Sequence, residues 1–223
     1  MTKIIRDNKM DINEIKTIIS LGGVIAFPTD TVYGLACDFF NIDAISRIYE
    51  IKGRPHNMPL IAMIPRALDI HKVAVNASAD VEELANTFWP GALTMILTAK
   101  PILPKLAIAH GTTIGVRIPN HALALEILNS CNPLATTSAN PSGWPAPDNV
   151  GDVIEHLDGR VDIIIDGGLT SSGIASTVLD CTKQPFNILR EGTVTHNDIF
   201  HALKNGKKDC CDEYDEENYM VID

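Results

Sequence analysis

Four cations stand beside hydroxyls and glycines at widely separated points of the chain. Lys52 and Arg54 occur in KGRP, Arg117 in GVRIP and Arg190 in ILREG. Hydroxyls cluster at Thr29 and Thr31 of PTDT, at Thr136 and Ser138 ahead of Asn140 in TTSAN, and at Ser176 in ASTVLD. Guanidinium and ammonium groups beside hydroxyls and glycine-rich backbone are what a phosphate or carboxylate ligand requires. Taken singly, each group has a plainer reading. Lys52 and Arg54 follow a helical pattern and could neutralise its C-terminus. Thr29-Asp30-Thr31 could bond its own backbone in a turn. Arg190 after an apolar strand could be an ordinary exposed arginine. Arg117 says more, because a charge within a strand pattern needs a partner.

Several standard chemistries lack their signatures. There is no GxxxxGK[ST] loop, no GxGxxG after a strand and no GxSxG elbow. His196 and His201 are five apart and share a helix face poorly. The five cysteines (Cys37, Cys131, Cys181, Cys210, Cys211) are odd in number and scattered, with no CxxC. Neither a disulfide framework nor a zinc site is expected.

The 223 residues carry a net charge of −10. Residues 205–223 hold seven acids and two lysines, and the remainder has 21 acids against 16 bases, a net of −5. A body this mildly acidic argues against permanent residence on nucleic acid. No apolar run approaches the roughly 18 residues of a membrane span, and the N-terminus has no signal-peptide pattern. The expectation is a cytoplasmic protein with one catalytic domain, 1–206, and an acidic, solvated tail, 207–223, partly disordered.

The elements that must position these groups are short. Asp11 and Glu14 resemble a capping box ahead of Ile12, Ile15, Ile18 and Ile19, with Gly22-Gly23 as the stop. Helical spacing returns over Asp43–Ile51, after a cap at Ser78, over His121–Ser130, over residues 149–157 and over Asn197–Asn205. Strands are predicted at Val24–Phe27, Pro59–Ile64, Ala92–Ala99, Thr113–Pro119, Pro133–Thr137, Val161–Ile165, Ser176–Leu179 and Phe186–Arg190. Strands and helices interleave without strict alternation, which predicts a mixed α/β (α+β) sheet with helices on its faces. Thr29–Thr31, Arg117, Thr136–Asn140 and Arg190 then fall at strand ends, where open sheets place ligands.

Seven motifs in order, PTDTVYGL, KGRP, WPGALT, GVRIPNH, TSANPSG, ASTVLD and ILREG, resemble the YrdC/TsaC family of threonylcarbamoyl-AMP synthases over about residues 10–204. The resemblance implies a twisted, open mixed sheet around a deep, positively charged cavity. It implies conversion of L-threonine, bicarbonate and ATP to threonylcarbamoyl-AMP and pyrophosphate, a nucleotidyltransferase reaction. The product would pass to the downstream machinery that builds threonylcarbamoyladenosine on tRNA. Carried over by motif, threonine would meet Thr31, Arg117, Thr136 and Ser176. ATP would meet Lys52, Arg54, Met58, Thr113, Ser138, Asn140, Ala146 and Arg190, with Lys52 and Arg54 as the catalytic cations. Mg2+ would arrive with ATP, with no protein side chain as metal ligand. Two departures stand out: Met63 replaces a histidine common in relatives, and Ala92 replaces a proline. The short form of the family is expected, since the sequence ends soon after ILREG. The competing reading is a double-stranded RNA or tRNA-binding module of the same fold. Steep salt dependence of RNA affinity without nucleotide turnover would distinguish it.

Overall fold

Short apolar runs interrupted by turn residues make ten strands, joined in one mixed sheet. The computed structural model describes residues 1–75, 77–131 and 133–205. The strands are β1 (Lys3–Arg6), β2 (Ile25–Phe27), β3 (Gly34–Asp38), β4 (Ile61–Met63), β5 (Leu93–Thr98), β6 (Thr113–Arg117), β7 (Leu134–Ser138), β8 (Ile163–Asp166), β9 (Thr177–Asp180) and β10 (Asn187–Arg190). Their spatial order is β1-β8-β2-β3-β7-β4-β6-β5-β9-β10. Pairs β1–β8, β8–β2, β4–β6 and β5–β9 are parallel, and the others are antiparallel. The predicted mixed sheet is therefore present.

Among the described residues six α-helices flank it: α1 (Ile12–Ser20), α2 (Ile42–Lys52), α3 (Ala79–Phe88), α4 (Ala122–Ser130), α5 (Val150–Leu157) and α6 (His196–Asn205). Their starts follow local chemistry. Asp11 accepts from the Asn13 N–H and Ser78 from the Val81 N–H, as N-caps should. Glu14 does not complete a capping box, because Lys3 draws its carboxylate away at 2.6 Å. Thr195 and Asp198 do form one at α6.

The two sheet faces are covered unequally. α1 and α4 pack Ile15, Ile19, Ile127 and Leu128 against Phe27, Ala36, Met63 and Leu134 on one face. α2, α3, α5 and α6 join Ala26, Leu35, Ala62, Val116 and Ala135 in the larger core on the other. Two strands escape the periodicity. β1 is an edge strand paired only with β8, and β3 opens on a glycine and closes on an aspartate. The predicted acidic tail lies outside the described residues. Among those described, no helix is long and apolar enough to cross a membrane.

Candidate active site

The cavity floor is a matter of strand register. Paired residues share a sheet face, and residues two apart return to it. Thr136 pairs with Ala36 and Ile61, Ile61 with Gly115, and Ser138 with Gly34. Met63 pairs with Arg117, Thr94 with Val178, and Val178 with Arg190. All of these rise from the face that bears only α1 and α4, beside those helices. The result is a cavity of about 530 Å³ walled by loops after β2, α2, β7 and before β9. Gly115 lets the floor residues Ile61 and Thr94 pack close across the strands, since a Cβ there would sit 3.0 Å from Ile61 and 3.2 Å from Thr94.

At one end lies Arg117, 3% exposed. Its Nε donates to Gly91 O at 2.9 Å, Nη1 to Thr31 Oγ1 at 2.8 Å and Nη2 to Asp30 Oδ1 at 2.7 Å. A guanidinium has five N–H groups, so one remains on each terminal nitrogen. Burial pulls the Arg117 pKa down and the Asp30 carboxylate opposes this. The partner demanded by a buried strand arginine is thus Asp30. Thr29, by contrast, is a turn residue: its hydroxyl donates to Val32 O and accepts the Thr31 N–H. The loop is clamped from outside by the glycine-rich segment after β8. Thr170 donates to Thr31 O, Ser172 N to Asp30 O, and the Tyr33 hydroxyl to Gly168 O.

Lys52 closes α2, whose chain leaves through Gly53 at φ +58, a left-handed conformation that suits glycine. This turn buries the lysine at 3% exposure. Its Nζ donates to Ser138 O at 2.6 Å and to Asn140 O, tying the α2 terminus to the Ser138–Asn140 turn. One N–H remains for a ligand. Burial, with the Arg54 guanidinium adding to it, pushes the ammonium down to about 7. Arg54 folds over its own loop, donating to Met58 O and Pro59 O. Arg190 grips Ser176 O through Nε and Nη2, and the Ser176 hydroxyl meets Thr94 at 2.8 Å.

A family description, Sua5_yciO_yrdC, "Telomere recombination", matches residues 17–192. The chain belongs to the Sua5/YciO/YrdC family. It is 39% identical over 201 residues to the threonylcarbamoyl-AMP synthase of Bacillus subtilis (strain 168), covering 89% of this chain and 58% of that protein. It is 40% identical over 179 residues to that of Pyrococcus abyssi (strain GE5 / Orsay), covering 80% and 53%. The chain therefore spans about half the length of these curated relatives. The crystal structure of P. abyssi Sua5 complexed with L-threonine superposes with a TM-score of 0.84 at 35% identity, covering 91% of this chain and 60% of that one.

Of the residues singled out by the Sua5/YciO/YrdC resemblance, Thr31, Lys52, Arg54, Met58, Arg117, Thr136, Ser138, Asn140, Ala146, Ser176 and Arg190 line one cavity. Thr113 does not. It opens β6 at the end opposite Arg117, is exposed, and pairs with Thr98. Met63, the position where the resemblance expects a histidine, lines the cavity with a thioether. The sequence reading missed Thr94, a floor residue inside a strand, and Trp144, which lines the rim. It also gave Asp30 only a turn-shaping role. Alternation along β5 could have found Thr94; nothing local marks Asp30, whose partner lies 87 residues away.

Proposed function

We propose that this chain is an L-threonylcarbamoyl-AMP synthase, condensing L-threonine, bicarbonate and ATP with release of pyrophosphate. The observation that carries the reading is a single cavity with two differently built ends. The buried Arg117 fork, with two N–H groups remaining beside the Thr31 and Thr136 hydroxyls, suits an amino-acid carboxylate. Lys52, Arg54 and Arg190 line the same space and suit a triphosphate. The threonine complex of the P. abyssi relative supports the first assignment.

In this reading the threonine amine loses a proton and takes up bicarbonate-derived carbon dioxide as a carbamate. A carbamate oxygen then attacks the α-phosphorus and pyrophosphate leaves. No side-chain nucleophile is needed; the chain holds two reactants in line and neutralises charge on the leaving group. The nucleotide enters as its magnesium complex. The cavity offers hydroxyl and amide oxygens but no carboxylate, a donor set suited to an ion carried on phosphate oxygens. The product is a mixed anhydride, so it passes to an acceptor system that makes threonylcarbamoyladenosine on tRNA.

The test is pyrophosphate release with each substrate omitted in turn. Release that requires threonine, bicarbonate and ATP together supports the reading; release indifferent to threonine overturns it.

A further inference from the structure

The cavity rim carries a large aromatic surface that the reaction above does not use. Trp144 lines the same space as Lys52, Arg54 and Arg190, yet the residue is 59% exposed. The other aromatic in the lining, Tyr33, is fully buried with its hydroxyl bonded to Gly168 O. Exposed indole is unfavourable in water unless something covers it.

Trp144 is also held firmly. Asn140 Nδ2 donates to Pro141 O and to Trp144 O, both at 2.8 Å. The Trp144 N–H returns to Pro141 O, and the Ser142 N–H bonds Lys52 O. His156 meets the indole edge-on, with ring centroids 5.3 Å apart. The bonds that fix this loop therefore run straight to Lys52 and Asn140, residues of the anionic subsite. An indole carried on this anchored loop, lining the same cavity as three phosphate-suited cations, matches the layout of a nucleoside triphosphate with its base outward.

We propose that the indole of Trp144 is the stacking platform for the nucleobase of the triphosphate substrate. The proposal rests on the synthase reading and adds to it the residue that receives the base. Base–aromatic stacking depends on ring area more than on hydrogen-bond pattern, so purine triphosphates are preferred over pyrimidine triphosphates.

The chain contains two tryptophans, and Trp89 is only 8% exposed, its indole N–H bonded to Leu93 O. ATP should therefore quench the emission of Trp144, whereas inorganic tripolyphosphate, which lacks a base, should not. Trp144→Phe should abolish the quench and keep the ATP KM within about 3-fold. Trp144→Ala should raise it about 10-fold or more, from the usual magnitude of a base stack, and leave the threonine Kd unchanged. Equal ATP KM for Trp144→Ala and the unaltered protein, or no ATP quench, overturns the proposal. So does equal weakening of ATP and tripolyphosphate, which would show the indole acting only through its loop. Quenching by single-stranded RNA but not by ATP overturns it in favour of an RNA surface. Failure of the synthase reading is separate: pyrophosphate release would be absent while the ATP quench persisted.

Discussion

Asp30→Asn isolates what the buried ion pair at the cavity end contributes. The side chains of Arg117 and Asp30 are 3% and 11% exposed, with Nη2 and Oδ1 2.7 Å apart. At that distance and an effective dielectric near 20, the attraction is about 6 kcal/mol. Asparagine keeps a hydrogen-bond acceptor in place but removes the charge, leaving Arg117 buried with only neutral partners, Thr31 and Gly91. The expected loss of folding stability is about 3 kcal/mol, the lower end for an uncompensated buried charge. For a chain of this size that is a fall in Tm of about 6–12 °C. Urea denaturation at pH 7 should show the midpoint moving with the m-value unchanged. Threonine supplies a carboxylate to the same guanidinium, so saturating threonine should restore more stability to the variant than it adds to the unaltered protein. A loss under about 0.5 kcal/mol would refute the charge pairing. Equal protection by threonine would refute the contact between its carboxylate and Arg117.

Arg117→Ala should act mainly on threonine binding and Arg54→Ala mainly on ATP, read as separate KM values; equal effects of both variants on both substrates would remove the two-ended assignment. The Lys52 pKa, about 7 folded against an ordinary 10.5, makes stability rise with pH between about 7 and 10.5, because the unfolded chain binds the extra proton there. Lys52→Met should flatten that rise in denaturation measured across the window. The kcat/KM for ATP should instead fall around pH 7 in the parent protein, where the folded ammonium loses its proton, and Lys52→Arg should remove the fall. Gly115→Ala should cost about 1–3 kcal/mol by overpacking the floor against Ile61 and Thr94, measured by thermal unfolding. Thr113→Ala, outside the cavity, should change the ATP KM by less than about 2-fold, as an exposed substitution does.

Much of the fold was legible where one residue acts on its neighbours. The caps at Asp11 and Ser78 and the apolar spacing of α2 and α3 are local, and the helices form where these signals lie. Strand ends were less legible. The run Pro59–Ile64 narrows to Ile61–Met63: the Leu60 N–H leaves the sheet for Ala107 O, and the Ile64 N–H makes the last bond to β6, at Arg117 O. β3 was hidden because a strand central to the sheet begins Gly34-Leu35 and reads as the tail of a loop. In the site, the motifs marked the residues but not their couplings. That Lys52 donates to two carbonyls some 86–88 residues away, and that Arg117 meets Asp30, are facts of tertiary closure. Thr113 stands apart from the rest of the set: it is a motif neighbour of Arg117 that strand length carries to the far end of β6.

The floor and the main core occupy opposite sides of the same strands: Thr136 faces the cavity while Ala135 and Ala62 face the other helices. A single inserted or deleted residue within β4, β6 or β7 would exchange the two faces, bringing methyl groups to the ligand and hydroxyls into the core. The floor can therefore evolve by substitution but not by length. The rim loops bearing Arg54, Trp144 and Ser176 lie outside that constraint. Descendants of this chain that acquire a new co-substrate should differ from it in loop length at the rim, over a floor inherited with the fold.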